Sequence, residues 1–210
     1  MPFALEELTA RRPYAFHVCG TVNFQSIRSS RTLRSAKTLL TGTPHQHLLL
    51  GRRTKTERTS ISGVDIEVRD HRPLIERSLS FPPNYGLNDF IDELNSRVFL
   101  WAGTETGPVR SGTNHIARYS AAGPVFLLRV PTEALLRANP VPILEVTFCN
   151  SGSARHNKGM PAKRGPETFV NPASARRPAA DVVELTFTGE IVLPMETMYA
   201  PSLQNEWLPL

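Results

Sequence analysis

Short runs in which apolar and polar positions alternate recur along the whole chain. A period of two is typical of strands, because successive side chains of a strand point to opposite faces. The pattern predicts six or seven strands, of which residues 124–130 form the most continuous apolar one. The predicted strands include residues 14–19, 64–68, 97–101, 124–130, 143–149 and 182–188.

Helical spacing of apolar residues and good capping residues predict four short helices between these strands. One of them is capped by Thr21 or Asn23 and ends at Ile27, and the others cover residues 88–95, 111–122 and 132–138. Asn88 is the expected cap of the second helix. Residues 41–63 are polar, basic and poor in periodicity, and residues 150–180 are rich in Gly, Pro, Asn, Ser and Arg. Both are predicted to be long loops, the second interrupted by residues 167–170.

The order of these elements bears on the fold class. A parallel, doubly wound sheet needs a helix-length crossover after nearly every strand, and the chain lacks such crossovers. We therefore expect a mixed α+β fold with a largely antiparallel sheet, short helices and long loops. The length of 210 residues and the absence of an internal repeat predict a single domain over residues 1–210.

Positive charge is concentrated in the N-terminal third of the chain. The net charge is +5, and 20 of the 24 basic residues are Arg. Residues 11–77 alone carry a balance of +8, whereas the rest of the chain is nearly neutral. Such a local field favours a phosphate-rich ligand or a nucleic acid, since the planar Arg fork suits phosphate groups. GC-rich codon usage, which raises Arg, Ala and Pro together, would explain the Arg excess equally well.

Composition also excludes some classes of protein. No apolar run reaches the roughly 18 residues that a membrane-spanning helix needs. The chain starts with acidic and then basic residues, which is the reverse of a signal peptide. A cytoplasmic protein without a membrane partner is expected. Cys19 and Cys149 are too few for a disulfide scaffold, so both are predicted to be buried thiols.

The common sequence signatures of metal and nucleotide sites are absent, and no metal is expected. His45 and His47 have a spacing that suits a metal ion. Their loop context and the lack of a nearby carboxylate favour surface histidines instead. The Asn-Ser-Gly-Ser segment at residues 150–153 could present backbone N–H groups to an anion, although such segments are more commonly turns.

Two polar residues interrupt otherwise apolar predicted strands. His17 needs a hydrogen-bond partner there, and the pattern alone favours a core histidine bonded to a backbone carbonyl over a functional one. A carboxylate at Glu184 costs several kcal/mol to bury unpaired, so it must face solvent, a cation or a ligand cleft. Alternation places Glu184 on the face opposite to Leu185 and Phe187, and a solvent-facing Glu is the commoner case.

Three segments carry a resemblance to a known family. The N-terminal one contains the matching residues His17, Asn23, Ser26, Ile27, Leu33 and Ser35. It resembles the start of ADP-ribosyltransferase-like proteins, and is similar to the DNA ADP-ribosyltransferase toxins and to an uncharacterised bacterial branch related to them. Residues 66–74 and 94–103 resemble that branch most. Residues 181–191 are similar to the strand that carries the catalytic glutamate of the DNA-modifying group.

The resemblance implies a split α+β sheet and an enzyme that cleaves the nicotinamide glycosidic bond of NAD and transfers ADP-ribose to an acceptor. It implies Glu184 as the catalytic glutamate and His17 as a catalytic residue that holds a ribose. The further NAD-binding residues that it implies are Asn23, Ser35, Arg69, Trp101 and Tyr119. Among these, Ser35 and an Arg would contact the pyrophosphate, and Trp101 or Tyr119 would stack on the nicotinamide ring.

Val182 occupies the position at which protein-modifying members carry a second Glu or Gln. This departure favours DNA or RNA over a protein arginine as the acceptor. An antitoxin protein is a further partner that the resemblance to toxins allows.

Other functions stay open on the sequence. An RNA 2′-phosphotransferase-like enzyme would also use NAD on a related fold, but its Arg-His-Arg-Arg set of phosphate ligands is not found in this chain. A non-catalytic module that binds NAD, ADP-ribose or a nucleic acid is the third hypothesis. The position of His17 and Glu184 discriminates between them, because an enzyme needs both side chains in one cleft.

Overall fold

The computed structural model describes residues 2–140, 144–153 and 159–210. Within these ranges the chain forms six α-helices: α1 (Leu5–Arg11), α2 (Phe24–Ser30), α3 (Ala36–Leu40), α4 (Leu87–Asn95), α5 (Arg110–Ala122) and α6 (Thr132–Ala138). Short 3-10 helices cover Thr21–Asn23, Gln46–Leu49, Glu76–Ser78, Pro166–Thr168, Pro172–Ser174 and Ala179–Asp181.

The strands are short, as the alternation predicted. They are β1 (Tyr14–Gly20), β2 (Thr32–Arg34), β3 (Glu57–Ile61), β4 (Val64–Val68), β5 (Leu79–Ser80), β6 (Arg97–Thr104), β7 (Gly107–Pro108), β8 (Val125–Pro131), β9 (Leu144–Thr147), β10 (Ala162–Lys163), β11 (Glu184–Thr188), β12 (Glu190–Val192), β13 (Met198–Ala200) and β14 (Leu208–Pro209). The predicted start of the fifth strand, residue 143, lies outside the described residues.

One large antiparallel sheet organises the molecule, in the strand order β14-β13-β8-β1-β6-β11-β9, with β7 paired to β6. Three two-stranded sheets accompany it: antiparallel β3–β4 and β12–β2, and parallel β10–β5. Most neighbours in the large sheet are not consecutive along the chain, and every pairing in it is antiparallel. The expected α+β class with a largely antiparallel sheet is confirmed.

The ladder between β1 and β6 stops halfway along β1. Residues 14–16 pair with residues 101–103. Beyond that point, in the described part of the sheet, residues 17–20 pair with β8 alone and residues 97–100 with β11 alone. The sheet therefore splits between β1 and β6, and the split leaves room for a cavity.

Apolar side chains cover both faces of the large sheet. One face packs against α1, α2 and α6 through residues such as Leu8, Ile27 and Leu135. The other face packs against α5 through Ile116 and Tyr119. Because both faces are covered, Glu184 is buried, with only 3% of its surface exposed. The commoner alternative of a solvent-facing Glu at this position is therefore wrong.

Some predicted boundaries are also wrong. The predicted loop 41–63 contains β3, whose polar residues pair with β4 to form a hairpin. The cap of α4 is Gly86 rather than Asn88, and the Asp89 carboxylate accepts the Gly86 N–H at 2.7 Å. The predicted loop 150–180 holds the short strand β10 and three 3-10 helices. The strands β3 and β10 are defined by pairing with another strand, and the 3-10 helices are only three residues long. Alternation of apolar residues therefore does not reveal these elements.

No helix in the described ranges combines the length and the apolar character that crossing a membrane requires.

Candidate functional site

A cavity of about 280 Å³ lies where β1 and β6 separate. Residues 17–19 of β1 form one side, and Val98, Phe99 and Trp101 of β6 form the other. Of the seven site residues predicted from the sequence, six line this cavity: His17, Asn23, Arg69, Trp101, Tyr119 and Glu184. The fold thus brings together side chains from three strands, a helix and two connecting segments.

Glu184 stands at the start of β11, opposite Trp101 of β6. Its Oε2 atom accepts hydrogen bonds from the Thr147 hydroxyl at 2.8 Å and from the Ser151 backbone N–H at 3.1 Å. Burial raises the pKa of Glu184 to about 7, although these hydrogen bonds and Arg164 act in the opposite direction.

The Thr147 hydroxyl has one hydrogen and two neighbouring acceptors. It lies 2.8 Å from Glu184 Oε2 and 2.7 Å from the carbonyl oxygen of Cys149. A hydrogen directed at the Cys149 carbonyl leaves Thr147 Oγ1 as an acceptor, which a protonated Glu184 can satisfy. The geometry therefore accommodates both protonation states of Glu184, as a carboxyl group with a pKa near neutrality requires.

The segment at residues 150–153 presents a backbone N–H to an anion, but the anion is the chain's own Glu184. Arg164 holds this segment in place. Its guanidinium donates to the carbonyl oxygens of Asn150 at 2.9 Å, Ser151 at 3.4 Å and Ser153 at 3.2 Å. Arg164 is itself buried, so it fixes the position of Ser151 and through it the carboxylate.

His17 lies in β1 at the point where the ladder ends. Its Nδ1 lies 2.7 Å from the carbonyl oxygen of Phe99, and a carbonyl can only accept, so Nδ1 carries the hydrogen. Burial and the nearby Arg69 lower the pKa of His17, which is therefore neutral at pH 7. The other ring nitrogen, Nε2, is then an acceptor for a ligand hydroxyl. His17 therefore has the backbone hydrogen-bond partner that the sequence predicted, and it also lines the cavity.

Arg69 follows β4 and brings positive charge to the cavity. Its guanidinium lies 4.1 Å from the centre of the Tyr119 ring, and its Nε is 3.6 Å from Glu67 Oε1. Its Nη2 atom is buried and has no hydrogen-bond partner among the described residues. An unpaired buried donor is costly, and an anionic ligand would satisfy it.

Asn23 anchors the hairpin that carries Arg69. Its side-chain amide donates to the Glu67 carbonyl at 3.0 Å and accepts the Glu67 N–H at 2.8 Å. The amide thus pairs with β4 as a neighbouring strand would. Asn23 lines the cavity and is the N-cap residue of α2, as predicted, but its side chain makes no capping hydrogen bond and instead positions Glu67 and Arg69.

Aromatic rings form the wall of the cavity next to α5. The His115 ring lies 5.1 Å from Trp101 and 4.4 Å from Tyr119, measured between ring centres. Burial and the neighbouring cations Arg118 and Arg69 lower the pKa of His115 to about 3, so the wall is neutral. A Cβ at Gly112 would lie 2.8 Å from Trp101 Cγ, so glycine allows α5 to approach Trp101.

Ser35 is the predicted site residue that the structure places elsewhere. Its hydroxyl accepts the Thr38 N–H at 3.1 Å and so caps α3, and it is outside the residues that line the cavity. The predicted pyrophosphate contact of Ser35 is therefore not supported by its position. The Ser at position 35 in the matched pattern serves as a helix cap.

His45 and His47 lie 6.4 Å apart between ring centres, in and beside the 3-10 helix Gln46–Leu49. The described residues contain no group of three or more His, Cys, Asp or Glu that could hold a metal ion.

Sequence reasoning missed several residues of the cavity and its support. Glu67 lies between Ile66 and Val68 in β4, the same signal that singled out Glu184. His115 precedes Tyr119 by one helical turn, so helical spacing could have found it. Arg164 had no local signal, because its role depends on a carbonyl cluster formed by the fold.

The comparisons with known proteins place the chain in a family and assign no activity. No curated protein matches the chain significantly. The family model of DUF7002, described as a family of unknown function, matches residues 13–198 and so covers strands β1 to β12 and the residues that line the cavity. The chain therefore belongs to the DUF7002 family.

Proposed function

We propose that this protein is an NAD-dependent ADP-ribosyltransferase whose acceptor is a nucleic acid. The observation that carries the proposal is the single cavity that contains His17, Arg69, Trp101 and Glu184 at the split of the sheet. Placement of His17 and Glu184 on opposite faces would have excluded an enzyme of this kind. The resemblance in sequence supplies the reaction, and the cavity supplies groups suited to each part of it.

The cavity offers partners for the pyrophosphate, one ribose and the nicotinamide of NAD. Arg69 Nη2, which has no hydrogen-bond partner among the described residues, would donate to the pyrophosphate, and the positive charge of Arg69 attracts the anion. His17 Nε2 accepts a ribose hydroxyl. The rings of Trp101 and Tyr119 provide an apolar wall on which the nicotinamide ring stacks. Recognition therefore uses the phosphate, the sugar and the base together.

Glu184 then serves the reaction itself. The bond between the ribose C1′ and the nicotinamide nitrogen breaks, nicotinamide leaves with the bonding electrons, and positive charge develops on the ribose. The Glu184 carboxylate stabilises that charge, and the low-polarity surroundings strengthen the effect. A lone pair of the acceptor forms the new bond to C1′, and the acceptor's proton passes to Glu184.

Incubation with NAD, followed by chromatography for free nicotinamide, tests the proposal. DNA, RNA and protein acceptors are supplied separately, and the adduct is identified by mass spectrometry. Glu184→Gln keeps the shape of the side chain but removes its charge, so it should abolish nicotinamide release. Glu190→Gln, an exposed carboxylate on β12 that pairs with Arg34, is the matched control and should remain active.

Full activity of Glu184→Gln would reject the assignment of Glu184. Tight NAD binding without any nicotinamide release by the native chain would instead identify a non-catalytic NAD-binding module. Modification of a protein acceptor alone would reject the nucleic-acid part of the proposal.

A further inference from the structure

A second depression, here named the basic groove, lies beside the cavity. It has a volume of about 810 Å³, and its charged lining residues are Arg110, Arg118, Lys163 and Arg164. Among the described residues no carboxylate lines it. The N-terminal third of the chain, where the sequence concentrates positive charge, does not contribute to it. The groove is therefore a positive surface that charge counting along the chain does not reveal.

The cations of the basic groove are not neutralised by the protein. In the described ranges, none of the four forms an ion pair with a carboxylate. Arg110 and Lys163 are exposed, whereas Arg118 lies 4.7 Å from the Tyr119 ring centre. Arg164 is buried and binds only backbone carbonyls, so its charge also adds to the local field.

The N-terminus of α5 opens into the same groove. Arg110, Ser111 and Asn114 from its first turns line the groove. No side chain caps this 13-residue helix at Val109, and its first turn contains no acidic residue. The partial positive charge at the start of the helix therefore adds to that of Arg110.

The groove and the cavity share two residues, His115 and Asn150. Asn150 immediately precedes Ser151, whose N–H binds Glu184. A strand held in the groove would therefore pass beside two residues that also line the cavity. Since Glu184 is only 3% exposed, an acceptor base must leave its stack to reach it, which a single strand does at the lowest cost.

We infer that the basic groove binds the phosphate backbone of a single-stranded nucleic acid and presents one nucleotide to the cavity. The inference rests on the proposed function for the role of Glu184, but binding in the groove does not require NAD. Cations without carboxylate partners in the described ranges, beside a wall of aromatic rings, suit a sugar-phosphate chain with exposed bases.

Fluorescence anisotropy with a labelled single-stranded DNA, and with an RNA of the same sequence, tests this without NAD. The double variant Arg110→Gln/Lys163→Gln removes two exposed groove cations. Binding should weaken, and the slope of log K against log salt should fall by about 0.7 for each lost phosphate contact. Arg137→Gln/Arg176→Gln removes the same charge from exposed positions outside the groove and should leave the slope nearly unchanged.

Equal losses in both double variants would show that net charge alone binds the strand, and would overturn the inference. Absence of binding by the native chain, or equally tight binding of a poly-glutamate peptide, would overturn it as well. Nicotinamide release from NAD is measured in parallel without nucleic acid. Release without groove binding rejects only this inference, and groove binding without release rejects only the proposed function.

Discussion

Replacement of Glu184 by Gln should stabilise the protein at alkaline pH and leave it nearly unchanged at acidic pH. Burial raises the pKa of Glu184 from an ordinary value of 4.5 to about 7. The folded state therefore holds the Glu184 proton more strongly than the unfolded state does. The resulting stability is fully present below about pH 4.5 and is lost as pH rises to about 7. Gln stays neutral at every pH, so the variant does not lose stability as the pH rises.

The size of the effect follows from the pKa shift. Each unit of pKa shift corresponds to about 1.4 kcal/mol. The free energies of unfolding of the native protein and of Glu184→Gln should therefore differ by about 3 kcal/mol above pH 7. The group is almost fully buried, so solvent screening does not reduce this greatly. Gln can still accept the bonds from Thr147 and Ser151 through its carbonyl oxygen, which keeps the local packing.

Urea unfolding of the native protein and of Glu184→Gln at about pH 5 and about pH 8 measures this difference. The exposed control Glu190→Gln should show no such gain at alkaline pH. A Glu184→Gln effect of the same size at both pH values would refute the reasoning, because the buried carboxyl group would then have an ordinary pKa. The experiment depends on the burial of Glu184 and not on the proposed activity.

Three further predictions concern the site. Nicotinamide release should rise with pH through about 7, because the reaction needs ionised Glu184, and a pH profile that is flat between about 6 and 8 would contradict this. A Cβ in Gly20→Ala would lie 2.6 Å from Glu67 Cδ, so the Glu67 carboxylate must shift and its contact with Arg69 is disturbed. Calorimetry should then show weaker NAD binding, and unchanged affinity would exclude this coupling. Arg164→Lys loses the fork that binds several carbonyls, so urea unfolding should show a destabilisation on the order of 2 to 4 kcal/mol, and a loss below about 1 kcal/mol would mean that the clamp is unimportant.

Local elements could be predicted where side-chain periodicity alone defines them. Alternation located β1 and Val64–Val68 to within a residue, and helical spacing located Thr132–Ala138. It missed β3, since an exposed hairpin strand has little apolar surface to bury and is defined by pairing with β4. The cap of α4 was misplaced for a related reason: Asp89 satisfies the free Gly86 N–H, which no apolar pattern records.

The sequence by itself determined the α+β class, the short elements, and the presence of a His and a Glu inside apolar strands. It could not decide whether His17 and Glu184 meet. They do so because β1 and β11 flank β6, and the β1–β6 ladder ends where a cavity can form. The tertiary structure also decided that Ser35 caps a helix, that Arg164 supports Ser151, and that burial raises the pKa of Glu184 to about 7. Burial and long-range contacts set these properties, and neither is encoded in periodicity along the chain.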